Sequence, residues 1–144
     1  MFALTPDAID VAAVERAVLH PSCGAVLLFL GTARDNFGER TVTHLAYEAY
    51  EEVAVAELQA IGRECAERWP GCRTAIVHRL GTVPVTEPTV VIATATPHRP
   101  ACYAASRYAL EALKARVAIW KKEIYEDGSA WKPNDPSPDA PPRG

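Results

Sequence analysis

The sequence predicts an α+β protein in which helices pack on one mainly antiparallel sheet. Apolar residues recur at helical spacing in three stretches, and short β-branched or aromatic runs lie between them. The order of elements is helix, strand, strand, helix, strands, helix and a short ending.

The first helix is expected in "LTPDAIDVAAVERAVLH", with Thr5 as N-cap, Pro6 at the first helical position, and Ile9, Ala13 and Ala17 at helical spacing. "GAVLLFLGTAR" is a short continuous apolar run and reads as a strand buried on both faces, opening into a loop at Gly31. "TVTHLAYEAY" alternates and reads as a second strand, with Val42, Leu45 or Tyr47, and Ala49 competing for the buried face. From Glu51 to Trp69, Ala54, Leu58, Ile61 and Cys65 form one stripe of an amphipathic helix, which Pro70 and Gly71 stop. "RTAIVHRLGTVPV" and "PTVVIATAT" are β-rich, either a hairpin or neighbouring strands of one sheet. After the break at Pro97 to Pro100, "PACYAASRYALEALKARV" is helical, with Cys102, Ser106, Ala109 and Leu113 on one face.

At 144 residues and 49% hydrophobic, the chain suffices for one core. A single domain over residues 1–132 is expected, followed by a flexible tail over 133–144, where five prolines and no large apolar residue leave little to bury. The net charge of −3 excludes the global cationic surface of a non-specific nucleic-acid binder, so any basic site must be local. No basic leader and no apolar run of membrane-spanning length is present, which points to a soluble cytoplasmic protein without a membrane partner. Cys23, Cys65, Cys72 and Cys102 form no CxxC pair, and the four histidines lack metal-ligand spacing, so no metal is expected and the cysteines read as reduced apolar residues.

Three cationic clusters stand out. In "LKARVAIWKKE", Lys114 and Lys121 are two helical turns apart; they either flank one anion or decorate a solvated helix end. In "TATPHRP", His98 and Arg99 precede a helix, either as an anion-binding N-terminus or as an exposed turn. In "GTARDN", Arg34 leaves a strand and is either functional or paired with Asp35. Together they suggest a compact anionic substrate. Trp120 and Phe29 read as core residues in preference to stacking platforms.

The motifs "GAVLLFLGTARDN", "YEAY", "ERWPG", "AIVHRLG", "PHR", "LKARVAIWKKE" and "YEDGSAW" closely resemble, in order and spacing, the catalytic large subunit of molybdopterin synthase, the MoaE family. The resemblance runs from about Gly24 to Trp131 and leaves out the first helix and the tail. It implies an α/β hammerhead type of fold and a sulfurtransferase acting on cyclic pyranopterin monophosphate. Sulfur would arrive as the C-terminal thiocarboxylate of a small ubiquitin-like sulfur-carrier subunit, and two sulfurs would form the dithiolene of molybdopterin. No cofactor and no bound molybdenum are implied. The implied assembly is a homodimer of large subunits within a heterotetramer, with a small subunit at each end.

Position by position, the resemblance implies Lys114 and Lys121 at the reaction centre, and Arg34, His98 and Arg99 around the pterin phosphate. Lys122 and Glu123 match neighbouring substrate contacts, and Thr32 and Ala33 the contacting loop. Crowded cations lower a lysine pKa, which suits Lys114 to proton exchange or to a transient bond with the partner's acyl end, while Lys121 stabilises negative charge. Ala118 stands where the family commonly has proline, which implies a different approach angle for the Lys121 segment. Two rival readings are a non-catalytic adaptor for a ubiquitin-like tail and a phosphate or nucleotide sensor.

Overall fold

The computed structural model describes residues 1–126 and 130–131, so the stretch 133–144 lies outside the described residues. The elements are β1 (Phe2–Thr5), α1 (Val11–Arg16), β2 (Ala25–Thr32), β3 (Asn36–Phe37), β4 (Arg40–Ala49), α2 (Glu51–Arg68), β5 (Arg73–Arg79), β6 (Gly81–Pro84), β7 (Pro88–Thr96), α3 (Arg99–Arg116), β8 (Ile119–Tyr125) and β9 (Ala130–Trp131). The α+β class holds, but the strands form two sheets where one was expected. One has the order β1-β5-β7-β2; the other has β3-β4-β8-β9, with β6 on the second side of β4. All pairings are antiparallel except β1 with β5.

The first sheet is covered on both faces. Ile76, Val90 and Ile92 pack with α2 and α3, while Ala75, Val77, Val91, Ala93 and Ala95 pack with Val14 and Val18 on the α1 side. Strand β7 therefore shows the continuous apolar run of a doubly buried strand. The same pattern in β2 misled: β2 is an edge strand, and Val26 and Leu30 are exposed at 40% and 39%.

The chain start also departs from expectation. Thr5 belongs to β1, and its hydroxyl accepts the Asp7 amide. The cap of α1 is Asp10, whose carboxylate accepts the Ala13 amide at 3.1 Å. Local cap chemistry at Thr5 loses to sheet pairing, which brings backbone bonds from Ile76 N to Met1 O and Leu80 N to Thr5 O. The α2 stripe is as read, with Ala54, Leu58, Ile61 and Cys65 fully buried. All four cysteines are free, and burial pushes the thiols of Cys65 and Cys72 up to about 11 and about 12, as befits packing residues.

Two irregularities shape the second sheet. A register shift between Val42 and His44 lets Val42, Leu45 and Tyr47 share one buried cluster although 42 and 45 differ in parity. Gly81, at φ 74, breaks "RTAIVHRLGTVPV" between β5 and β6. Strand β5 stays in the first sheet and β6 crosses to pair with β4. Helix α3 stops at Arg116, and its cap Val117 is extended at φ −77, ψ 134. "IWKKE" is then strand, not helix.

Candidate active site

Lys121 reaches Lys114 by chain reversal, not by helical repeat. Strand β8 returns antiparallel to β4 with Tyr47 opposite Lys121 and Leu45 opposite Glu123. Period-two alternation then puts Lys121 and Glu123 on the face that looks toward the end of α3. There a cavity of about 120 Å³ is lined by Thr32 at the end of β2, Arg34 after it, Asn36 on β3, Tyr47 on β4, Thr89 on β7, Lys114 on α3, and Lys121 and Glu123 on β8, among others. Larger depressions exist, one of about 450 Å³ beside Phe2 and Arg63. The convergence of cations, not size, selects the smaller one.

The cavity holds opposed charges. Lys121 Nζ lies 3.3 Å from Glu123 Oε1, and the Glu123 side chain is 4% exposed. Tyr125 donates its hydroxyl to Glu123 Oε2 at 3.2 Å, so the buried carboxylate is satisfied on both oxygens. Lys114 is exposed as a residue, yet partial burial of its amino end lowers its pKa, and repulsion from Lys121 lowers it further. Crowding was the expected cause; desolvation is the larger one. Tyr47 is held above the usual phenol range by burial, opposed by a Thr89 hydrogen bond and aided by the Glu123 charge. Thr89 in turn donates to Gly31 O at 3.1 Å, fixing the strand end from which Arg34 departs.

Behind Tyr47 stands His78, whose ring meets the phenol edge-on at 4.8 Å. Its Nδ1 is 2.7 Å from Arg79 O, and because a carbonyl only accepts, Nδ1 carries the proton. Burial lowers the His78 pKa to about 4 against the pull of that carbonyl, with the Lys114 charge lowering it further. It is a neutral imidazole at neutral pH.

Of the residues singled out from sequence, Thr32, Arg34, Lys114, Lys121 and Glu123 line this cavity together. Ala33 is buried behind its wall, tied by its backbone to Glu87 O and Thr86 N. Lys122 alternates to the opposite face of β8 and lines a separate hollow with Glu48 and Trp120. His98 and Arg99 are exposed at the start of α3, about 24 Å along the helix from Lys114. Neither aromatic weighed earlier lines the cavity: Phe29 packs on the main core, and Trp120 is half-buried against Tyr50. Sequence reasoning missed Tyr47, Thr89 and His78. The one signal for His78 was a polar residue directly after the apolar run Ala75, Ile76 and Val77.

Among the described residues no cluster of His, Cys, Asp and Glu is arranged to hold a metal. A lysine of lowered pKa, a second lysine paired to a buried carboxylate, and an arginine line one cavity of an α+β protein, an arrangement with the charge to receive an anion. The model of the family described as MoaE protein matches residues 4–116, which includes α1, the helix thought to lie outside the resemblance. The chain belongs to the MoaE family. A molybdopterin synthase catalytic subunit of Taeniopygia guttata is 47% identical over 132 residues, covering 91% of this chain and 85% of that protein. The crystal structure of molybdopterin synthase from Staphylococcus aureus matches with TM-score 0.87 and 40% identity, over 91% of this chain and 96% of the other. A complex of subunits 1 and 2 of molybdopterin-converting factor from Helicobacter pylori shares the fold, with TM-score 0.79 at 16% identity, over 95% of this chain and 93% of that one.

Proposed function

We propose that this chain is the catalytic subunit of a molybdopterin synthase, moving sulfur from the C-terminal thiocarboxylate of a small ubiquitin-like subunit onto cyclic pyranopterin monophosphate. The observation that carries the reading is a cavity rich in cations with no cysteine among its lining residues. Such a site needs its sulfur from outside and has the charge to receive an anionic tail. Lys114, more easily deprotonated than an ordinary lysine, exchanges protons with the opening ring, or its amine takes the tail's acyl carbon as the acyl carbon–sulfur bond breaks and the sulfur stays on the pterin as a thiolate. Lys121 stabilises the negative charge that develops, with Glu123 orienting its ammonium. Arg34 and Thr32 hold the substrate's phosphate side, with the buried Ala33 between them bracing the segment through its backbone.

His98 and Arg99 stand too far from Lys114 within one chain to touch the same pterin. In the homodimer of the proposal they come from the second copy, and Lys122 contacts substrate only at the cavity's rim. The catalytic domain is residues 1–132, and the enzyme works in the cytoplasm; among the described residues no helix is long and apolar enough to cross a membrane. The test is to mix the chain with the pterin precursor and thiocarboxylated small subunit and assay the dithiolene pterin. Product establishes the synthase. Binding of the small subunit without product, beside an active control synthase, would favour the adaptor reading.

A further inference from the structure

Two residues, Val117 and Ala118, separate the helix that carries Lys114 from the strand that carries Lys121. Their geometry sets the spacing of the two lysines. Val117 is buried in the main core and its amide closes the helix on Leu113 O at 3.1 Å. Ala118 is held from both sides by α2: its N–H donates to Glu57 Oε1 at 3.1 Å, and its carbonyl accepts the Tyr50 amide at 3.1 Å. Tyr50 caps α2, and Glu57 lies two turns further along. A second tie, from Arg116 to the Glu64 carboxylate at 2.6 and 2.7 Å, anchors the helix end itself. The Glu57 bond is thus, among the described residues, the side-chain hydrogen bond made to the turn proper, and Glu57 is not among the residues that line the cavity.

We infer that Glu57 is a positioning residue for the reaction centre: by accepting the Ala118 amide it fixes the α3–β8 turn and so the distance between Lys114 and Lys121. Charge-assisted bonds to a backbone N–H are among the stronger ones, and small misplacements of reacting groups are costly to rate. Glu57→Gln retains an acceptor and is expected to behave as the parent. Ala118→Pro deletes the donor, and Val117 already has the extended backbone that a residue before proline needs. In that background residue 57 has no bond to lose.

The inference rests on the synthase reading for its rate effect but not for its structural one, so two structural readouts are taken on the full chain beside turnover. Amide exchange at Ala118 is followed by NMR in the parent, Glu57→Ala and Glu57→Gln, and the titration of the Lys114 amine in these three, in Ala118→Pro, whose residue 118 has no amide proton, and in the Glu57→Ala/Ala118→Pro double variant. The groups facing Lys114 are Lys121 and Glu123 on β8, Arg34 after β2, Tyr47 on β4 and His78 on β5, and all are unchanged in these variants. In Glu57→Ala the Ala118 amide should lose protection, and the Lys114 titration should move up as Lys121 recedes. Turnover should fall roughly tenfold or more, with Glu57→Gln near the parent and no further loss from Glu57→Ala once residue 118 is proline. Unchanged exchange and titration in Glu57→Ala overturn the inference, as does a rate loss without a titration shift or an equal loss in the proline background. A shifted titration with no turnover in any variant, the parent included, supports the positioning role and defeats the synthase reading. Should Glu57→Ala fail to fold, a Glu57→Gln variant that also loses Ala118 protection overturns it.

Discussion

His78 makes acid stability a direct measure of how the site is buried. Its folded pKa is about 4 and the unstrained value is 6.5, with burial the main cause. Because the folded value is lowered, the unfolded chain binds more protons between those limits, and stability rises with pH through the window. Above pH 6.5 both states are neutral at this residue and nothing is lost. The 2.5-unit difference corresponds to about 3 kcal/mol withdrawn by pH 4, and about 2 kcal/mol by pH 5, at 1.36 kcal/mol per unit. The comparison is with His78→Asn, whose amide can donate to Arg79 O in place of Nδ1 but takes up no proton. Urea unfolding of both proteins from pH 7 to pH 4 should show the parent losing midpoint faster, by roughly 1 M urea at pH 5 for a slope of about 2 kcal/mol/M. Glu64, held down to about 2 by Arg116 and Tyr108, loses its contribution between pH 4.5 and 2 in both proteins and cancels in the difference. Parallel midpoint curves for parent and variant would refute the argument, since they would mean that His78 titrates normally in the fold.

Lys114→Ala should cut dithiolene formation by roughly 10²–10⁴-fold with the urea midpoint retained; a folded variant with near-normal turnover removes Lys114 from the chemistry. Lys121→Ala should move the Lys114 titration upward, because a repelling charge is gone, while Lys122→Ala, on the far face of β8, should leave it in place; NMR of the lysine amines separates the two. Gly62→Ala would bring a Cβ to 2.2 Å from Phe2 Cζ, so it should destabilise by about 1–3 kcal/mol as overpacking does. In a Phe2→Ala background the same change should become neutral or stabilising by up to about 1 kcal/mol, because a helical glycine is replaced; equal destabilisation in both backgrounds would deny the Phe2 contact.

What the residues determined by themselves was local. The α2 stripe and most of the buried face of α3 follow from 3.6-residue spacing, and β7 from its apolar run, because these patterns repeat along one element. Arg34, Lys114, Lys121 and Glu123 were legible through a resemblance of motifs, and they do converge. Only the tertiary structure decided how. The split into two sheets turns on one positive-φ glycine and the pairing of β6 with β4. The start of the chain became strand because a neighbouring β5 offered backbone partners that no local signal announces. The resemblance put Lys121 at the reaction centre and Lys122 at a neighbouring contact, and strand alternation against β4 turned the first into the cavity and the second away. The lowered pKa of Lys114 and the neutrality of His78 arise from burial and from the charges of Lys121 and Lys114 respectively, which act only once β5, α3 and β8 have met.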